Sequence, residues 1–362
     1  MLSVAAMALS AAFAVQGDGL RLEFDEHLRS RVVATLGVPT PLGEFTAADT
    51  LLTAAGEVRE FTYVTRRESR LTDALGAGTR TLIIGRAAGL EQQIEITAYA
   101  SRPRFLFLQV RYTNSGATPL QVRGFVTEQR RLEAAAKGEP AFWSYQSASY
   151  EKRPDWILPV PVGFERRNFL GMNDSDYGGG TPVLDVWRAD VGLAIGHLEP
   201  APRQVSLPLA RGADGVARLS MRDDQAQVLP PGQTLSTPRS FVAVHRGDYF
   251  ATLRAYSDAI YGRLLEKAPG RRYFLDKTPA YALVLPFLCR LYPAAHYVVL
   301  TRHPLAILTS YVDSFFDGQW DVALRHNPIL QRYVPALLVF LANRFTTGTI
   351  SVEEKDGKAM FS

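Results

Sequence analysis

The sequence predicts a mainly β protein: a large β-sandwich (supersandwich) followed by a short, helix-rich α/β segment. Three observations carry the prediction. Between Leu20 and His245, apolar and polar residues alternate in short runs punctuated by Gly, Pro, Asn and Asp, the period-2 signature of strands. After Tyr249 the period becomes helical. A length of 362 residues, 47% hydrophobic and 21% charged, is enough for two cores.

Taken in order, Met1 to Gly17 carries no charge and contains an apolar run ending Ala12-Phe13-Ala14, the small-x-small form of a processed leader. The run is shorter than the roughly 20 apolar residues a membrane span needs. Residues 1–16 are therefore read as a leader that would export the protein to the periplasm or beyond. A buried N-terminal strand in a cytoplasmic protein and a misplaced start are the alternatives, because no Lys or Arg precedes the apolar stretch.

The runs Leu20–Phe24, Leu90–Tyr99, Phe105–Tyr112, Val191–His197 and Phe241–His245 are expected strands. In the Phe105 run, Leu106, Leu108, Val110 and Tyr112 fall on one face and Gln109 and Arg111 on the other, so one face is assigned to the core. A dozen or so such runs with few helical stretches between them argue for a sandwich over residues 17–255.

Leu253, Tyr256, Ile260 and Leu264 then recur at helical spacing over Ala251–Leu265. Pro279–Leu291 and Pro304–Phe316 read as helices with proline in the first turn, and His296–Thr301 as a buried parallel strand. An apolar stripe from Leu330 to Phe345 predicts another helix. The α/β segment thus covers 256–345, and polar residues 346–362 are read as a tail.

The 40 Lys and Arg against 36 Asp and Glu leave a net charge of +4, too small to imply a nucleic-acid partner. From Gly262 to Arg302, however, seven basic residues face two acidic ones, a skew suited to an anionic ligand, though a solvated basic face is commoner. One cysteine, Cys289, precludes an intrachain disulfide and a cysteine metal cluster. No His-Glu-x-x-His, Gly-x-Ser-x-Gly, Walker loop or Gly-x-Gly-x-x-Gly occurs. His197 and His245 lie on strand patterns and are read as structural.

The most specific local signal is Asp276-Lys-Thr-Pro279, then a strand ending at Arg302, then a helix carrying Ser310. A strand feeding a helix N-terminus presents free N–H groups and a positive dipole end to an anion. Arg302 adds a donor fork that matches phosphate, and Ser310 shares a helix face with positions 303, 306 and 307. Taken alone, an ion-paired arginine and an ordinary helix serine are the better account of the two residues.

The runs Tyr273–Tyr281, Phe287–Pro293 and Val298–Ile307 resemble the central part of sulfotransferases, a likeness that continues through Phe315–Trp320 and covers about 260–345. That resemblance implies 3′-phosphoadenosine 5′-phosphosulfate as cofactor, with Arg302 and Ser310 on its 3′-phosphate and Lys277 near the donor or acceptor. No metal is implied. The family's opening strand and 5′-phosphosulfate loop have no counterpart before Lys277, and its later strand and acidic motif none after Phe345. A half-site for the distant phosphate does not supply the chemistry.

A second dense stretch contains Phe142-Trp-Ser-Tyr145, Arg153-Pro-Asp-Trp156, the loop Gly171–Pro182 and Asp185-Val-Trp187. Aromatic and acidic residues in a glycine-rich loop suit sugars. Asp174-x-Asp176-x-Gly178 also has the look of a weak calcium loop, without the later acidic ligand. A turn-forming Asp/Asn/Gly loop with core tryptophans is at least as good an account. With Leu20–Phe24, Val191–Glu199, Val205–Pro208 and Val244–Phe250, this stretch resembles the N-terminal β-sandwich of bacterial α-galactosidases of the melibiase type. In that family the sandwich precedes the barrel that holds both catalytic carboxylates. The resemblance therefore yields no catalytic residue here. Asp174, Asp176 and Trp187 would edge a galactoside site.

The expected protein is an α-galactosidase-like, non-catalytic sandwich joined to an incomplete sulfotransferase segment, with a chimeric or truncated gene as the simplest origin. A sulfotransferase acting on a carbohydrate or other hydroxyl acceptor, and an exported carbohydrate-binding module, are the alternatives.

Overall fold

The computed structural model describes residues 11–134, 142–147, 156–170, 181–199, 203–266, 288–290, 292–293, 295, 319, 352–355 and 358–361. In chain order the first strands are β1 (Phe13–Gln16), β2 (Leu20–Phe24), β3 (Ser30–Ala34), β4 (Thr40–Pro41), β5 (Thr50–Thr53) and β6 (Gly56–Val58). Long strands follow: β7 (Thr62–Asp73), β8 (Gly76–Ala87), β9 (Leu90–Tyr99), β10 (Phe105–Asn114) and β11 (Leu120–Leu132). Next are β12 (Phe142–Gln146), β13 (Ile157–Val160), β14 (Glu165–Arg166), β15 (Phe169–Leu170), β16 (Val183–Trp187) and β17 (Gly192–His197). The sandwich ends with β18 (Val205–Ser206), β19 (Leu209–Arg211), β20 (Ala217–Asp223), β21 (Gln227–Leu229), β22 (Thr234–Ser236) and β23 (Ser240–His245). The helix α1 (Phe250–Glu266) follows, and β24 (Val352–Lys355) and β25 (Lys358–Phe361) lie near the C-terminus.

The predicted sandwich is present. A ten-stranded antiparallel sheet runs β13-β12-β16-β17-β23-β10-β9-β8-β7, with β22 also on β10. A nine-stranded sheet has the path β14-β19-β20-β11-β5-β6, with β15, β18 and β21 attached, and β1 to β4 form a four-stranded sheet. One apolar core joins residues of all three, among them Leu22 and Phe24, Leu106 and Leu108, and Leu219 and Met221. All four residues that the alternation in the Phe105 run assigns to the core are buried there. Burying a large apolar side chain stabilises by about 1.5–3 kcal/mol, so this interior is the main support of the fold.

Part of the opposite face of the ten-stranded sheet is also buried, which alternation in the Phe105 run did not anticipate. Phe105 and Phe107 of β10, Phe241 of β23 and Tyr145 of β12 join Leu253, Tyr256 and Ala259 of α1 in a second apolar cluster. The helix read from Ala251–Leu265 is thus present as α1, lying on the sheet. The compact unit containing the sandwich runs through Pro293.

At the N-terminus, Ala14 lies within β1, whose partner is β2, and Phe13 stacks on Phe24 with ring centroids 5.2 Å apart. Processing after Ala14 would therefore divide a paired strand. Near the C-terminus, the segment read as a tail contains an antiparallel pair, β24 with β25, closed by Lys355 opposite Lys358. The intervening Asp356-Gly357 is a sequence pair favoured in two-residue hairpin turns. Residues 288–290 are helical, and the N–H of Tyr292 donates to the carbonyl of Leu288 at 2.8 Å. The rest of the expected helices and strand between 279 and 345 lies outside the described residues.

Candidate functional site

The outer face of the ten-stranded sheet carries the candidate residues that the structure describes. Trp187 of β16 sits directly opposite Trp143 of β12, and Asp185 directly opposite Tyr145. Because strand residues alternate in direction, all four side chains share one face. Tyr249, just before α1, stacks on Tyr145 at 5.2 Å with an interplanar angle of 7° and tilts against Trp187 at 5.8 Å. Trp156 meets Tyr145 edge-on at 6.3 Å. Trp143 is the most open of these rings, 45% exposed. The sequence placed Trp143 in the dense stretch without assigning it a role; its pairing with Trp187 depends on register between distant segments.

Beneath the rings lies a buried polar pair. His245, at the end of β23, contacts Asp185 through Nε2 at 2.9 Å. A Cβ on Gly192 would lie 2.0 Å from that Nε2, so glycine at this position on β17 leaves room for the imidazole to cross to β16. Burial alone would pull the His245 pKa down, but the Asp185 charge and hydrogen bond outweigh it and the net shift is upward. His197 goes the other way, to about 4, because burial and then the Arg203 charge disfavour its protonated form. Its Nδ1 accepts from the N–H of Glu199 at 3.2 Å. Both histidines are buried on their strands.

A second buried constellation lies in the sandwich interior. The register of β11 against β20 shifts between Thr127 and Arg130, and Glu128 adopts a left-handed φ of 51°. This bulge turns both Glu128 and Arg130 inward. Arg130 donates to Glu128 Oε2 through Nε at 3.0 Å and Nη2 at 2.7 Å, and through Nη1 to Ser30 Oγ at 2.8 Å. Ser240 donates to Glu128 Oε1 at 2.7 Å. Asp49 is pushed up to about 7, first by burial and then by the charge of Glu128.

That shift has a testable consequence. The unfolded Asp49 ionises near its ordinary value of 3.8, whereas the folded one holds its proton to about 7. Stability from this group is complete below pH 4 and is lost as pH rises to about 7. Asp49→Asn is expected to remove that decline, so urea midpoints of the variant and the parent should diverge between pH 5 and 8. Parallel pH profiles would contradict the shift.

Of the remaining candidates, Asp174, Asp176, Lys277, Arg302 and Ser310 lie outside the described residues. Among the described residues, no group of three His, Cys, Asp or Glu is placed to hold a metal ion. None of the described helices is long and apolar enough to cross a membrane.

The fold of this sandwich resembles that of known galactosidases. The α-galactosidase from Lactobacillus brevis superimposes with a TM-score of 0.50 and 12% identity, over 67% of this chain and 40% of that one, a likeness of fold alone. The A type blood α-D-galactosamine galactosaminidase of Flavonifractor plautii is 23% identical over 265 residues, 68% of this chain and 23% of that protein.

Residues 195–346 match the Sulfotransferase family. Nodulation protein NoeE of Sinorhizobium fredii is 32% identical over 120 residues, 33% of this chain and 26% of that protein. Both resemblances read from the sequence are thereby supported, and the chain spans well under half the length of each of these relatives. The family match begins at Ile195, inside β17, which pairs with β16 and β23. Its first fifty residues therefore overlie sandwich strands, rather than the α/β segment expected from about residue 256.

Proposed function

We propose that the chain joins a non-catalytic, galactosidase-type sandwich to a sulfotransferase-type segment that binds the nucleotide of 3′-phosphoadenosine 5′-phosphosulfate. The observation carrying the first half is that the two clusters of acid–base groups inside the sandwich, Asp185 with His245 and Glu128 beside Asp49, are sealed. Asp185, His245, Asp49 and Glu128 are between 0% and 7% exposed. A glycosidase acid or base must reach the scissile oxygen or its water, which these groups do not. What the sandwich offers a galactoside is an aromatic edge, Trp143 beside Trp187, on which a sugar's C–H face can stack. Asp174 and Asp176, which precede β16 in the sequence, would accept from its hydroxyls.

In the second half, Arg302 and Ser310 hold the 3′-phosphate and Lys277 lies near the donor or acceptor. Titration with adenosine 3′,5′-bisphosphate should show binding that Arg302→Ala weakens at least tenfold, about the contribution of one charge-assisted contact. Unchanged affinity in that variant would remove the phosphate assignment. The purified chain should not hydrolyse an α-galactoside, and turnover would contradict the non-catalytic reading.

A second reading, transfer of sulfate to a carbohydrate hydroxyl, is favoured by the match to the Sulfotransferase family over 195–346. Release of adenosine 3′,5′-bisphosphate in the presence of an oligosaccharide acceptor would establish it.

A further inference from the structure

We propose that the outer face of the nine-stranded sheet binds an anionic saccharide, one carrying sulfate or carboxylate groups. A groove of about 530 Å3 crosses β14, β19, β20 and β11 there. Five arginines, Arg131, Arg166, Arg167, Arg218 and Arg222, face it against two carboxylates, Glu165 and Asp224.

Two of those arginines are placed at a cost to the fold. Arg131 of β11 and Arg218 of β20 are directly opposed in the ladder. Like charges in that position destabilise a strand pair. Their partners stand outside the groove lining: Glu44, itself 81% exposed, is 3.6 Å from Arg131, and Asp214 pairs with Arg218. Arg222 pairs with Asp224 at 2.7 Å, both well exposed. Ion pairs this open are worth roughly 0–1 kcal/mol each, so an incoming anion can displace or share them. Arg166 and Arg167 are exposed and have no carboxylate partner among the described residues.

The lining suits a saccharide better than a nucleic acid. Arg218, Ser220 and Arg222 are the outward-facing residues of β20, so an extended ligand lying along it meets donors roughly every 7 Å. Single-stranded nucleic acids need rings for base stacking, and the groove's aromatic, Phe169, is partly buried. This surface belongs to the sandwich, and the proposal does not depend on the nucleotide site.

The test uses the full chain and four probes: a sulfated galactan oligosaccharide, an oligogalacturonate, a neutral galactan oligosaccharide and a single-stranded DNA oligomer. At low salt, one or both anionic saccharides should bind, more tightly than the neutral one and the DNA, and added salt should weaken them. The double variant Arg166→Gln/Arg167→Gln, whose side chains are exposed, should lose about tenfold in affinity. Arg302→Ala should bind as the parent does. The proposal is overturned if neither anionic saccharide binds, if the neutral one binds as tightly, or if DNA binds best. Unchanged affinity in the double variant, or loss in Arg302→Ala, overturns it as well.

Discussion

Replacing Arg130 by methionine should destabilise the sandwich by about 3–5 kcal/mol, the usual cost of leaving one member of a buried ion pair without its partner. Arg130 and Glu128 are 3% and 1% exposed, and three of the arginine's donors are committed to Glu128 and Ser30. With the guanidinium gone, the Glu128 carboxylate keeps its bond from Ser240 and is left beside Asp49, which accepts from the Glu128 backbone N–H. The carboxyls can then relieve their repulsion by taking up protons. The loss should accordingly be smaller at pH 5 than at pH 8. A companion Glu128→Leu change on the Arg130→Met background should restore much of the stability, because it removes the stranded charge. Urea denaturation of the single and double variants measures both. A single-variant loss below about 1 kcal/mol would mean that the pair is hydrated in solution rather than enclosed.

Phe241→Ala should cost a similar amount, about 3–5 kcal/mol, through the cavity it leaves. Phe241 is fully buried on β23 beneath α1, with its ring 5.2 Å from Phe105 and 5.8 Å from Tyr256. The site is crowded: a Cβ on Gly196 would meet the Phe241 ring at 2.8 Å and the Pro182 carbonyl oxygen at 2.1 Å. Collapse into the space is therefore restricted on the sheet side, and relaxation should come from the helix. Limited proteolysis should reveal earlier cleavage within α1 than in the parent. A loss below about 1.5 kcal/mol with α1 equally protected would show that the helix is held by other contacts.

Much of the sandwich was legible because alternation is a local property. Leu20–Phe24 and Leu90–Tyr99 are strands with the bounds their sequence runs suggested. The second buried face was less legible, although β10 held a clue. Its Phe105 and Phe107 fall on the same face as Gln109 and Arg111, so that face changes from aromatic to polar midway along the strand. The aromatic half lies in the cluster with α1.

The hairpin near the C-terminus also had a local marker, Asp356-Gly357, which the short polar stretch around it outweighed. For the site, Trp187 was singled out through the resemblance, whereas its neighbours Trp143 and Tyr249 required long-range register. The inner charged cluster was beyond local reading altogether. It joins residues 30, 49, 128, 130 and 240, and its geometry depends on one bulge.

The way α1 covers the sheet determines how the protein can be dissected. A version cut at residue 245 would retain every strand of the sandwich yet uncover Phe105, Phe107, Phe241 and Tyr145 together. Such an oily strip favours self-association, and precipitation of that fragment would be mistaken for failure to fold. A cut after Glu266 keeps the cover in place, making it the sounder starting point for assaying the first half by itself.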